Sequence, residues 1–254
     1  MHEQNWSFKE TNLRIKCDVP RGIDAAIDAS MQARWEIEKL IAIRPEFRWS
    51  LEPLKLKGEH PRVIGLMLRA GELAEVGPFA AVAGAISQVA AEAARGAGAE
   101  NVVVENGGDI AMMGTRDFRV GVFAGDAGAS GKIGFLVQAA ELPIGICTSS
   151  NTIGHSISFG QADAVVVVAR EASVADAAAT SIANAVKAKV KSSVKQGLGR
   201  AKRIPEIRGC LIVRGEYIGT WGKLPKLVHV APESQELLAT SKKYRGYGLG
   251  QALI

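Results

Sequence analysis

Through residues 7–18, SFKETNLRIKCD, apolar and polar residues alternate in short stretches, which predicts a strand or one arm of a hairpin. From Asp24 to about Ile43 the residues Ile27, Met31, Ile37, Leu40 and Ile41 form a rough helical stripe that Pro45 ends. Residues 46–56 look extended, and a further helix is predicted from Pro61 to Glu75. The run GPFAAVAGAISQVAAEAARGAG at 77–98 differs in kind. Between Pro78 and Ala91 it carries no charge, and Ser87 and Gln88 are its only polar side chains. A helix apolar on all sides is a buried helix.

Strand signals then follow closely, at 101–105, 109–114, 118–124, 132–139, 143–149 and 163–169, separated by turn-rich clusters. A second Ala-rich helix, SVADAAATSIANAVKAKV, is predicted from near Ser173. A basic helix or loop covers about 190–203, and CLIVRGEYIGTW at 210–221 reads as a hairpin about Arg214-Gly215-Glu216. Helices first, then consecutive strands, then a helix predict an α+β fold with an antiparallel or mixed sheet. No repeat and no clear linker divides the chain, so residues 1–254 read as one domain, with a small basic extension at 223–254.

Composition narrows the setting. The 254 residues are 47% hydrophobic but only 6% aromatic, with 28 glycines, so the core is built from small aliphatic side chains that pack closely. The N-terminal residues lack the apolar stretch of a secretory signal, and no run approaches the ~18 apolar residues of a membrane span. Cys17, Cys147 and Cys210 are far apart, which suits reduced thiols in a cytoplasm. The net charge of +5 conceals an asymmetry: residues 187–254 hold 14 Lys+Arg against 4 Asp+Glu. That region suits a polyphosphate, nucleic acid or an acidic partner. The lysines at 187–195 have no interleaved aromatic, so a solvated face is the simpler reading.

Three segments carry candidate chemistry. On the second Ala-rich helix Asp176, Thr180 and Asn184 fall at i, i+4 and i+8, and Asp176 is the only charge between Ser173 and Val186. Asp and Thr one turn apart offer two hard oxygen ligands about 5–6 Å apart at Cβ, which suits Mg²⁺ completed by water and substrate phosphate. Ser173 with Asp176 also resembles a capping box, and a first-turn Asp can serve both ends. The stretch ENGGDIAMMG at 105–114 is a tight turn, a pocket wall, or both: Gly107 and Gly108 would let a ligand approach while Asn106 or Asp109 grips it. In TSSNTIGHSISFG, Thr148, Ser149, Ser150 and Asn151 end a strand where amides and hydroxyls can cradle an anion. His155 is either a general base or a satisfied hairpin histidine. Cys147 is either a nucleophile beside it or a buried small hydrophobe. GDAGASGKIG at 125–134 is not a P-loop, because Asp126 stands where the first Gly belongs and Ile133 where Ser or Thr belongs.

In order, VENGGDI, GICTSSN and ADAVVVVAREASVADAAATSIAN resemble the ApbE family of FAD:protein FMN transferases, and RPEFRWSLEPL with VGPFAAVAGAISQ is similar to an uncharacterised ApbE-like branch. The resemblance covers most of 45–190. It implies a T-fold-like layered sheet with buried Ala-rich helices, FAD or a related phosphate-containing ligand, Mg²⁺, and an acceptor protein whose hydroxyl receives FMN. The family's metal-binding Asp and Thr fall on Asp176 and Thr180. Its Gly-Gly-Asp turn falls on Gly107, Gly108 and Asp109, and its T-S-G segment on Thr148, Ser149 and Ser150. Two departures stand out. The family's K-G-x-A motif has no lysine here, and its H-I-I-D-P segment is replaced by HSISFGQAD, with His155 at the histidine's place. The fold therefore also accommodates a non-flavin member acting in small-molecule metabolism, with sulfur or homocysteine chemistry as one direction the branch suggests.

Overall fold

The protein is described by a computed structural model in residues 1–121, 133–149, 161–187 and 190–229. Eleven strands and six α-helices are found among these residues. The strands are β1 (His2–Phe8), β2 (Thr11–Cys17), β3 (Val102–Asn106), β4 (Asp109–Met113), β5 (Phe118–Gly121), β6 (Ile133–Val137), β7 (Ile144–Ser149), β8 (Ala164–Ala169), β9 (Ile207–Arg214), β10 (Tyr217–Gly222) and β11 (Lys226–His229). The helices are α1 (Pro20–Ile43), α2 (Glu46–Trp49), α3 (Arg62–Ala74), α4 (Val82–Gly96), α5 (Ala172–Ala185) and α6 (Val190–Ala201).

Eight strands form one sheet in the order β1-β2-β3-β4-β7-β8-β9-β10, and three form a second in the order β11-β6-β5. Every pairing among the described residues is antiparallel, so of the two predicted sheet types the antiparallel one forms. Helices cover one face of the large sheet and the small sheet covers the other. The sheet is thus buried on both sides at its centre, which explains why β8 reads AVVVVA without alternation. Its Val165 and Val167 join the helix-side core, while Ala164, Val166 and Val168 join the core under Phe118 and Phe135.

Several expectations shift. β1 was not legible, because HEQNWSF is exposed along nearly its whole length and carries no buried face to set a period. α1 begins at Pro20 rather than Asp24, with the proline in the first turn, where a missing N–H costs nothing. Residues 46–56 are not extended throughout: Pro45 opens the short helix α2. The run at 77–98 divides into a 3₁₀ turn, Pro78–Ala81, and α4. That break lets the chain enter α4 against α5, and it places the first turn of α4 at the centre of the site.

Candidate functional site

α4 and α5 cross at their N-terminal ends. A Cβ on Gly84 would lie 2.4 Å from the Ala172 carbonyl oxygen and 2.8 Å from Asp176 Cβ, so only glycine permits this approach. Across the contact each helix completes the other. Gly84 N–H donates to Asp176 Oδ2 at 2.9 Å. In return Gln88 Oε1 accepts from the Ser173 N–H at 3.4 Å, one of the early α5 amides that lack an intrahelical partner. This corrects the capping-box expectation. Glu171 is the α5 N-cap residue and makes no side-chain cap bond, and Asp176 lies beyond the first turn. Its carboxylate serves α4 instead.

The Asn106–Asp109 pair closes a two-residue turn in which Gly107 (φ 64°) and Gly108 (φ 107°) both lie in the left-handed region. That conformation is the reason for both glycines. A Cβ on either would meet nothing within 4 Å, so the turn borders open space. Ser87 Oγ of α4 donates to the Asp109 carbonyl at 2.8 Å, tying the turn to the helix pair. Asn106 is engaged as a strut: its Oδ1 accepts from Asn12 N–H (3.2 Å) and its Nδ2 donates to the Ala83 carbonyl (3.5 Å). Asp109 Oδ1 accepts from the Thr148 N–H at 3.3 Å.

Asp109 and Asp176 are close enough to feel each other's charge. Burial, then the Asp109 charge, raises Asp176 well above the usual carboxylate range, against the pull of the Gly84 and Ala83 amides. Asp109 is pushed up to about 7 by burial, with a smaller push from Glu105 and opposing hydrogen bonds from Cys147 and Thr148. Burial and the two carboxylates raise the Cys147 thiol well above its ordinary value, so it stays protonated; its Sγ donates to the Ala172 carbonyl at 3.2 Å. Cys147 is a buried donor here, not an activated nucleophile.

Strand parity places Gly145, Cys147 and Ser149 on the helix side of β7, since Cys147 belongs to the helix-side core. Gly145 packs on Ala172, and α5 runs onward in the direction of the strand. Thr180 and Ser149, each 5% exposed, carry buried hydroxyl oxygens with no hydrogen-bond partner among the described residues. On the adjoining face of α5 lies a cavity of about 330 Å³, lined by Leu51, Val76, Ser181, Asn184, Arg200 and Arg203 among others. Arg200 is buried, donating to Ser181 Oγ (2.9 Å) and the Ala74 carbonyl (2.7 Å) and pairing with Glu75 (3.1 Å).

Of the residues singled out in the sequence, Asp109, Thr148 and Asp176 are brought together, with Gly107 and Gly108 beside them. Thr180 follows one turn along α5. Ser150, Asn151 and His155 lie outside the described residues. Sequence reasoning missed Gly84, Gln88 and Ser87 as partners. The signal was there: two polar side chains and a glycine inside a buried helix each imply a contact.

A family model described as "AbpE bacteria" matches residues 2–202. The chain belongs to this ApbE-like family. A UPF0280 protein of Methanococcus aeolicus is 41% identical over 224 residues, 87% of this chain and 90% of its own length. A UPF0280 protein of Methanosarcina acetivorans is 39% identical, covering 89% of this chain and 88% of the relative. Among solved structures, the flavin transferase ApbE from Vibrio cholerae superposes with a TM-score of 0.55 at 14% identity, over 87% of this chain and 96% of that one. The apo flavinyl transferase ApbE of Pseudomonas stutzeri gives 0.57 at 12% identity, over 87% and 94%. These likenesses establish the ApbE-like fold expected from the motifs. No single helix among the described residues is long and apolar enough to cross a membrane.

Proposed function

We propose that this ApbE-like protein binds FAD or a related phosphate-containing ligand together with Mg²⁺, and transfers FMN to a hydroxyl of an acceptor protein, the diphosphate bond of FAD breaking so that AMP leaves. The observation that carries this reading is the Asp109–Asp176 pair. Two carboxyl groups, one raised by the other's charge, are held in a largely buried place, with no cation partner among the described residues. Such a pair is costly unless a positive charge joins it. The Thr180 hydroxyl, one helical turn from Asp176 and without a partner among the described residues, supplies a further hard oxygen. Among the described residues no three His, Cys, Asp or Glu side chains cluster to hold a metal unaided. The donor set therefore suits an ion such as Mg²⁺ that keeps waters and takes substrate phosphate as ligand.

Bound there, Mg²⁺ would neutralise charge on a diphosphate. Asp176 would hold the ion while remaining fixed by the α4 amides, and Asp109 would face it from the glycine turn. Gly107 and Gly108 leave room for the ligand, and the anion-binding role is assigned to Thr148, Ser149, Ser150 and Asn151. In the adjoining cavity Arg200 is already paired with Glu75, which leaves Arg203 as the lining cation for an anionic group. His155 is assigned as the base that activates the acceptor hydroxyl. The chain is read as one domain over 1–254, and the basic region from 223 begins by adding β11 to the small sheet. A cytoplasmic setting fits the three free, buried cysteines.

The missing lysine at the start of the α4 run favours a second reading, in which the same pocket takes a non-flavin phosphate ligand. Titration with FAD, with and without Mg²⁺, on wild type and Asp176→Asn separates the two. Mg²⁺-dependent FAD binding lost in the variant supports the flavin reading, and indifference of the wild type to FAD ends it.

A further inference from the structure

We infer that β10 is the seam of a two-fold symmetric dimer, in which two copies of this chain join their large sheets edge to edge. This goes beyond the reading of the ion site and does not depend on it.

The large sheet has two edges, built differently. β1 carries charge along its edge: Glu3 forms ion pairs with Arg14 (2.6 Å) and Lys16 (2.9 Å), and its neighbours are His2, Gln4 and Asn5. Polar and charged residues of this kind discourage pairing with another strand. β10, YIGTWG, has no charge and no proline and is rich in strand-forming side chains. Tyr217 and Ile218 are 47% and 49% exposed.

The outward groups of β10 follow from its turn. Arg214 and Tyr217 close a two-residue hairpin, so Tyr217, Gly219 and Trp221 direct their backbone groups to β9. The Lys223 N–H to Arg208 carbonyl bond (2.7 Å) continues the same alternation. Ile218 and Thr220 therefore aim N–H and C=O away from the sheet. Among the described residues nothing hydrogen-bonds to that edge.

An antiparallel ladder pairs residues of like parity, so a two-fold axis must pass through a residue. With Gly219 on the axis, Ile218 exchanges two hydrogen bonds with Thr220 of the second copy, and Thr220 with its Ile218. Tyr217 then faces Trp221 twice, in the non-hydrogen-bonded positions where side chains lie closest. Lys223 of one copy lies opposite Gly215 of the other. Glu216 is beside that position, and the Asp163 carboxylate accepts the Gly215 N–H there (2.5 Å). No like charges oppose each other. A shift that puts Thr220 on the axis would instead set Trp221 against Gly219 and Tyr217 against Lys223, losing both aromatic pairs. One short strand pair contributes less area than a permanent dimer buries, so the association is reversible.

Sedimentation velocity over a concentration series tests this. Wild type should pass from monomer to dimer. Ile218→Lys and Thr220→Pro, both on the exposed edge, should weaken the dimer at least about tenfold while circular dichroism stays unchanged. Register is tested with Tyr217→Cys and Trp221→Cys. Mixed and oxidised, the two proteins should form a disulfide-linked dimer, and neither alone should. A wild type that stays monomeric throughout overturns the proposal. So do edge variants that dimerise like wild type, or a cysteine variant that cross-links to itself and not to the other.

Discussion

α4 and α5 face the same problem with different groups. Each begins inside the protein, where an unpaired amide is costly, and each takes its missing acceptor from the other. α5 receives the neutral amide of Gln88, and α4 receives the carboxylate of Asp176. Gln88 demonstrates that a neutral acceptor suffices at this crossing. A carboxylate is more than the helix end requires, and the nearby Asp109 charge adds to burial in raising it. On the proposed reading, that carboxylate is kept for an ion rather than for the helix end.

The sharpest way to break that comparison is to make the two acceptors alike. Asp176→Asn keeps an oxygen for Gly84 and removes the repulsion. We expect unchanged or higher thermal stability with Mg²⁺-dependent ligand affinity down about 100-fold, near 3 kcal/mol. Calorimetric melting and a ligand titration read the two effects separately. An Asn variant that binds like wild type would reduce Asp176 to a helix cap.

Gly84→Ala attacks the crossing itself, since its methyl would strike the α5 backbone. We expect a loss of about 1–3 kcal/mol in urea unfolding, with the proposed ion site disturbed as well.

The acidity of Asp109 gives a pH signature. Its folded value, about 7, is above that of an unfolded carboxyl, so between about pH 4 and 7 the folded state holds more protons. The stability it contributes is full below that window and is lost as pH rises through it. Without divalent ions, wild type should therefore lose stability relative to Asp109→Asn as pH climbs from 4 to 7, and saturating Mg²⁺ should remove the difference. Chemical denaturation at several pH values measures it.

The smallest effect belongs to the neutral partner. Gln88→Leu should cost about 1 kcal/mol and leave Mg²⁺ affinity intact, because it strands the Ser173 amide without touching the carboxylates.

The sequence made some of this arrangement plain and hid the rest for definite reasons. β8, α4 and α5 were legible because burial on all sides leaves continuous apolar runs. The Asp176–Thr180 pair was legible because one short acid stood alone on an alanine helix. Ser173 and Asp176 misled because a capping pattern is local, whereas the amide that Asp176 serves belongs to residue 84. The resemblance marked Asp109 and Asp176 separately, and no periodicity shows that residues 67 positions apart meet. β1 lacked a buried face, and α2, four residues long with Phe47 alone buried, was too short to give a periodic signal.

The traded acceptors at the α4–α5 crossing also bear on how the molecule opens. If α5 frays from its start, Asp176 retreats and the α4 amides lose their partner. If α4 frays, Gln88 leaves Ser173 bare. Neither helix has a cheap partial opening of its own, so their amides should exchange with deuterium together, at one shared rate. A ligand seated on Asp176 would then slow exchange in α4 as strongly as in α5, though it need not touch α4 at all.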